Sequence, residues 1–130
     1  MIDKSILERI EKDFKEKVND QVHIKSEGKD RYLVFTPFIC EDGDHFSIIL
    51  KKEDRGWVLS DEGHTLMHLS FGQDRINLDD KNRTITANEL SEFHTQEING
   101  ELTSRINNER YGDALQGFIQ AIKTILRGRR

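Results

Sequence analysis

Between residues 3 and 18, Ile6, Ile10, Phe14 and Val18 recur at every fourth position, Leu7 widens the stripe, and Glu8, Lys12 and Lys15 lie elsewhere. A period near 3.6 predicts an amphipathic first helix, capped by Asp3. After "KVNDQ" the pattern shortens to "VHIKS", "RYLVFTPF" and "HFSIILKK", rich in β-branched and aromatic residues and parted by "EGKD" and "CEDGD". These runs, with "GWVLS" after them, predict strands at 21–26, 31–36, 44–51 and 56–60. Short Gly, Asp and Asn connections make consecutive strands antiparallel, so the sheet is a meander.

Further on, "HTLMHLSF" supports a short helix, and "RINLDDKNRTITANELSEF" mixes strand and helix spacing. A loop followed by a helix from about Asp80 to Phe93 is the expected arrangement. In "TQEINGELTSRI" the pair Asn99-Gly100 stands between two alternating segments and tolerates the positive φ angles of a type I′ turn, so a small second hairpin is expected. The final segment places Tyr111, Leu115, Phe118, Ile119, Ile122, Ile125 and Leu126 on one helical face, with Lys123, Arg127, Arg129 and Arg130 near the negative end of the dipole. Both helical stripes need an apolar partner, and Phe46, Ile48, Leu50, Trp57 and Leu59 on one face of the sheet supply it. The expected fold is α+β: an antiparallel β-meander with N- and C-terminal amphipathic helices packed on one face and a small second hairpin.

Length and charge narrow this further. A chain of 130 residues fits a single domain, residues 1–130, able to bury about two-thirds of its unfolded surface. Charged residues make up 34% of it with a net charge of -4 and both signs interspersed, which gives no general pull toward phosphate backbones and disfavours nucleic acid as the partner. No segment approaches the roughly 20 apolar residues needed to span a bilayer, and the start carries no apolar leader, so a cytoplasmic protein without membrane attachment is expected. Cys40 is the one cysteine, which excludes an internal disulfide and a cysteine-built zinc site. Beside Phe38 and Ile39 it reads as a small buried hydrophobe rather than a nucleophile.

The meander has a consequence for chemistry. The end of the second strand, the start of the third and the end of the fourth share one edge of the sheet, about 4.8 Å apart strand to strand. Glu41, Asp42 and Asp44 would then face Asp61, Glu62 and His64, forming an acidic rim that needs a cation, a basic partner or protonation to offset its repulsion. Asp61, between a strand and a helix, also reads as an N-cap, with Glu62 suited to the positive helix end. Gly63 would permit close approach of a neighbouring loop or a kink.

His64 and His68 have the spacing of a metal pair, but "HTLMH" has no acid between them, so no metal and no cofactor are expected. Glycine-rich phosphate loops and the GxSxG elbow are absent from the sequence. A restriction-type nuclease would pair an acid such as Asp44 with an acid-x-lysine on the following strand, and "LKKEDRGWVLSDEG" lacks that triplet. Glu27-Gly28-Lys29 has the right letters in a predicted turn at the wrong place.

The succession "FTPF", an acidic turn, "DHFSIILKK", "GWVLSDEGHTLMHL", then "NELSEF", "INGEL" and a final amphipathic helix resembles a family of small bacterial, archaeal and prophage-borne proteins known only as a domain of unknown function. Its members carry Thr-Pro-Phe, an acid-rich loop and a strand ending in Leu-Thr-Asp-Asp-Gly. Here Ser60 and Glu62 replace the usual Thr and Asp, and "RTIT" interrupts the middle helix. The resemblance gives Thr36, Pro37, Phe38, Asp44, Asp61 and Gly63 as motif positions and implies no activity. It does imply a role in a mobile element, defence or counter-defence. The resulting expectation is a binding or regulatory protein whose partner is a protein with a basic surface; the alternative is a divalent-metal-dependent nuclease or other hydrolase using the rim.

Overall fold

The computed structural model describes residues 4–38, 45–53, 56–65, 90–107 and 109–127. Helix α1 (Lys4–Lys17) buries Ile10 and Phe14 completely, as the four-residue spacing predicts. Among the described residues six strands follow: β1 (His23–Gly28), β2 (Arg31–Phe35), β3 (Ile49–Glu53), β4 (Gly56–Ser60), β5 (Gln96–Ile98) and β6 (Glu101–Arg105). Helix α2 (Tyr111–Arg127) closes the described chain. The strands form one antiparallel sheet in the order β1-β2-β3-β4-β6-β5, so the meander is present and the fold is α+β.

One strand boundary differs from the expected pattern. β3 begins at Ile49 rather than at residue 44, because the chain before it pairs irregularly: Val34 donates to the Ile48 carbonyl at 2.9 Å and Phe46 to the Phe38 carbonyl at 3.2 Å. The expected second hairpin, β5–β6, is present and joins the same sheet, since β6 pairs with β4 through Val58↔Arg105, Leu59↔Ser104 and Ser60↔Thr103. Its turn is as expected, with Asn99 at φ 54° and Gly100 at φ 87°. Of the middle helix expected over 80–93, residues 90–92 are helical and residues 80–89 lie outside the described set. That helical turn ends where the Thr95 amide donates to the Leu90 carbonyl at 3.0 Å and His94 takes a left-handed backbone.

The core lies on one face of the sheet. Phe46, Ile48, Leu50, Trp57 and Leu59 share a buried cluster with Ile10 and Phe14 of α1 and Leu115, Phe118 and Ile122 of α2. The two helices also touch: the Asp13 carboxylate accepts the Gly112 amide at 2.6 Å, satisfying an orphan donor in the first turn of α2. A Cβ at Gly112 would stand 2.5 Å from the Asp13 carbonyl oxygen, so glycine sets how closely the helices approach. Glu11 of α1 accepts the outward Ile24 amide of edge strand β1 at 2.8 Å, which occupies a donor that another strand could otherwise recruit.

Register assigns the other face. Arg31↔Lys51 and Lys51↔Val58 are cross-strand partners, as are Ile49↔Ser60 and Ser60↔Thr103, so these side chains share the face turned away from the helices. Ile49 and Val58 are buried there, apart from the main cluster, amid a group of charges.

Candidate functional site

β4 ends at Ser60, and the chain reverses within Asp61–His64. The His64 amide donates to the Asp61 carbonyl at 3.0 Å, with Glu62 at φ 51° and Gly63 at φ 85°, so both central residues are left-handed as in a type I′ turn. Glycine suits that backbone; glutamate does not, and its presence stores strain of about 1 kcal/mol. A Cβ on Gly63 would meet the Gly100 carbonyl oxygen at 3.6 Å, so the β5–β6 turn packs against this one.

Asp61 is fully buried and both of its carboxylate oxygens are engaged. Oδ1 accepts the Gly63 amide at 2.8 Å and the Leu102 amide at 2.9 Å, while Oδ2 accepts the Thr65 amide at 3.0 Å. The expected cap is thus part of a larger role, in which one carboxylate joins the turn, the first helical residues 64–65 and strand β6.

Glu62 turns its carboxylate the other way, back over the second face. Arg31 approaches it with two guanidinium nitrogens, Nη2 to Oε1 and Nε to Oε2, the latter at 3.2 Å. Lys51 adds its ammonium at 3.4 Å and reaches Glu101 at the same distance. The Ser60 hydroxyl donates to Glu101 and accepts the Glu62 amide at 2.9 Å, and Glu27 stands 3.7 Å from Arg31. The hydrogen bond from Arg31 holds the Glu62 carboxyl below the usual carboxylate range; partial burial opposes this, and the Arg31 and Lys51 charges reinforce it. The same bond raises the Arg31 guanidinium.

Of the residues that the sequence nominates for a rim, Asp61, Glu62 and His64 fall in this one turn, with Asp61 turned inward, Glu62 paired and His64 exposed. Glu41, Asp42 and Asp44 lie outside the described residues, as do His68 and Cys40. Among the described residues no three His, Cys, Asp or Glu side chains gather as a metal cluster would. Arg31, Lys51 and Glu101 were not singled out from sequence. Alternation in "RYLVF" and "ILKKE" opposes Arg31 and Lys51 to the buried Tyr32 and Leu50 and so signals their shared face, but not their meeting with Glu62.

A second feature of this face is the exposed Phe35 ring between two imidazoles, His23 at 6.2 Å and His45 at 4.8 Å between centroids. No described helix is long and apolar enough to cross a membrane. The family model for a domain of unknown function, DUF1828, matches residues 36–125. No curated protein and no solved structure gives a significant match.

Proposed function

Since this chain belongs to the DUF1828 family, we propose, from its own geometry, that it is a cytoplasmic binding or regulatory protein whose turn at the end of β4 docks a partner with a basic surface. The observation that supports this most is the division of labour within the turn. Asp61 fixes the backbone from inside through three amides, and Glu62 and His64 are thereby presented on a base that does not have to be ordered on binding. In the same proposal Glu41, Asp42 and Asp44 extend the acidic surface, and the setting is a mobile-element, defence or counter-defence system, which rests on the resemblance in sequence.

Catalysis by the rim is the weaker reading. A metal-dependent hydrolase needs carboxylate oxygens free to hold Mg²⁺ and a lysine to steady the attacking water. Asp61 has both oxygens engaged by the backbone, and Lys51 is already shared between two glutamates. The test is a melting experiment with and without millimolar Mg²⁺, run beside a nucleic-acid cleavage assay. No shift and no cleavage are expected. A melting temperature that climbs with the logarithm of Mg²⁺ concentration, with cleavage lost in Asp44→Asn and Asp61→Asn, would install the hydrolase instead.

A further inference from the structure

Glu62 is the most prominent described carboxylate of the proposed docking turn, yet it is already held by two cations of its own chain. Arg31 grips it from β2 and Lys51 from β3, while Glu27 and Glu101 flank those cations on the outer side. The clamp closes over a residue whose left-handed backbone is unfavourable for glutamate. An incoming guanidinium that takes both carboxylate oxygens of Glu62 must exchange with Arg31. We propose that Arg31 and Lys51 form an internal latch: they compete with a basic partner for Glu62 and, together with Asp61 beneath, hold the turn in its strained conformation. The docking part of this inference rests on the function proposed above; the holding of the turn does not.

The chemistry favours exchange over a fixed lock. Arg31, Lys51 and Glu62 are all partly open to solvent, with side-chain exposures of 37%, 29% and 27%, so the pairs are screened and reversible rather than sealed in the core. An external guanidinium has the same planar donor fork as Arg31 and can replace it bond for bond. Arg31, once displaced, still has Glu27 at 3.7 Å, which lowers the cost of leaving Glu62.

The experiment uses the full chain and hexa-arginine as the probe at low salt, and compares wild type with Arg31→Gln. Arg110→Gln, at an exposed position in front of α2, makes the same change in net charge away from the latch. The latch predicts that Arg31→Gln binds the probe about two- to five-fold tighter than wild type, the range set by removing one exposed competing pair. Arg110→Gln should stay at the wild-type value, and adding Glu62→Gln should erase the gain. Amide exchange at Gly63 and His64 should be faster in Arg31→Gln. If Arg31→Gln melts early, Lys51→Gln is read in the same way. Equal or weaker binding by a folded latch variant overturns the latch, and so does an equal gain in Arg110→Gln. If the probe binds neither wild type nor variants, the docking reading fails, and amide exchange alone decides the latch: faster in the variants upholds it, unchanged overturns it.

Discussion

Asp61 and Leu102 are joined twice: the Asp61 amide donates to the Leu102 carbonyl at 3.1 Å, and the Leu102 amide donates to the Asp61 carboxylate at 2.9 Å. Because the same carboxylate also takes the Gly63 and Thr65 amides, removing it leaves three donors without that acceptor, those of Leu102 and Thr65 buried and that of Gly63 partly so. Asp61→Ala should therefore lower the unfolding free energy by about 3 kcal/mol, above the ~1 kcal/mol typical of a helix cap alone. Asp61→Asn, which keeps one acceptor oxygen, should lose about half as much. Urea titration measures both, and a midpoint for Asp61→Ala equal to wild type would remove Asp61 from its structural role.

The contact between the helices makes a second prediction. In an exposed helix, Gly→Ala stabilises by about 1 kcal/mol. At Gly112 the added methyl would meet the Asp13 carbonyl oxygen and the Lys17 Cβ, each at 2.5 Å, so α1 and α2 must part. Gly112→Ala should destabilise by about 2 kcal/mol. At Gly117 the closest approach is the Phe93 carbonyl oxygen at 3.3 Å, and Gly117→Ala should cost much less. Reversal of that order in thermal melts would contradict the packing.

Thr36 gives a prediction of the opposite sign. It is fully buried, and its hydroxyl has no hydrogen-bond partner among the described residues. Thr36→Val keeps the shape and removes the unpaired polar atom, so the variant should be more stable by about 1 kcal/mol. A loss of stability in Thr36→Val would show that the hydroxyl is satisfied in solution, most simply by a bound water.

The clamp on Glu62 carries a pH dependence whose sign follows from its direction. The folded-state value lies below the unfolded one, so the contribution is present above the ordinary carboxylate range near 4.5 and is lost as pH falls through the lower folded value. The stability difference between wild type and Glu62→Gln should thus be flat around neutrality and shrink on acidification below about pH 4.5. Glu62→Gly, which fits the left-handed backbone, should recover part of what Glu62→Gln loses. A difference that grows toward acid would reverse the assignment.

What could be read from the chain was whatever is local. The four-residue spacing of Ile6, Ile10 and Phe14 and the face from Tyr111 to Ile125 specify both helices, and Asn99-Gly100 specifies its turn. Two things escaped. The pairing of β4 with β6 joins residues 43 to 47 positions apart, and alternation within each strand says nothing of which strand lies beside it. The turn "SDEG" carries Asp and Gly, which fit a helix start as well as a reversal, and nothing local shows that Glu62 is left-handed or that its partner is Arg31. The nominated Asp61 and Glu62 are neighbours with opposite destinies, one inside the fold and one on its surface, because successive side chains leave the backbone in different directions.

The measurement that bears most directly on the central claim is the association rate of the chain with a basic probe such as hexa-arginine, followed from low to high ionic strength for wild type and Glu62→Gln. Docking on a charged turn predicts a wild-type rate that falls steeply as salt rises, because exposed charges are screened beyond about 8 Å at physiological ionic strength. It also predicts a lower rate for Glu62→Gln at low salt, where the charges of Arg31 and Lys51 are no longer offset by Glu62 and repel the probe. A rate independent of salt, or the same for folded Glu62→Gln as for wild type, would contradict the claim that this turn is where the partner binds.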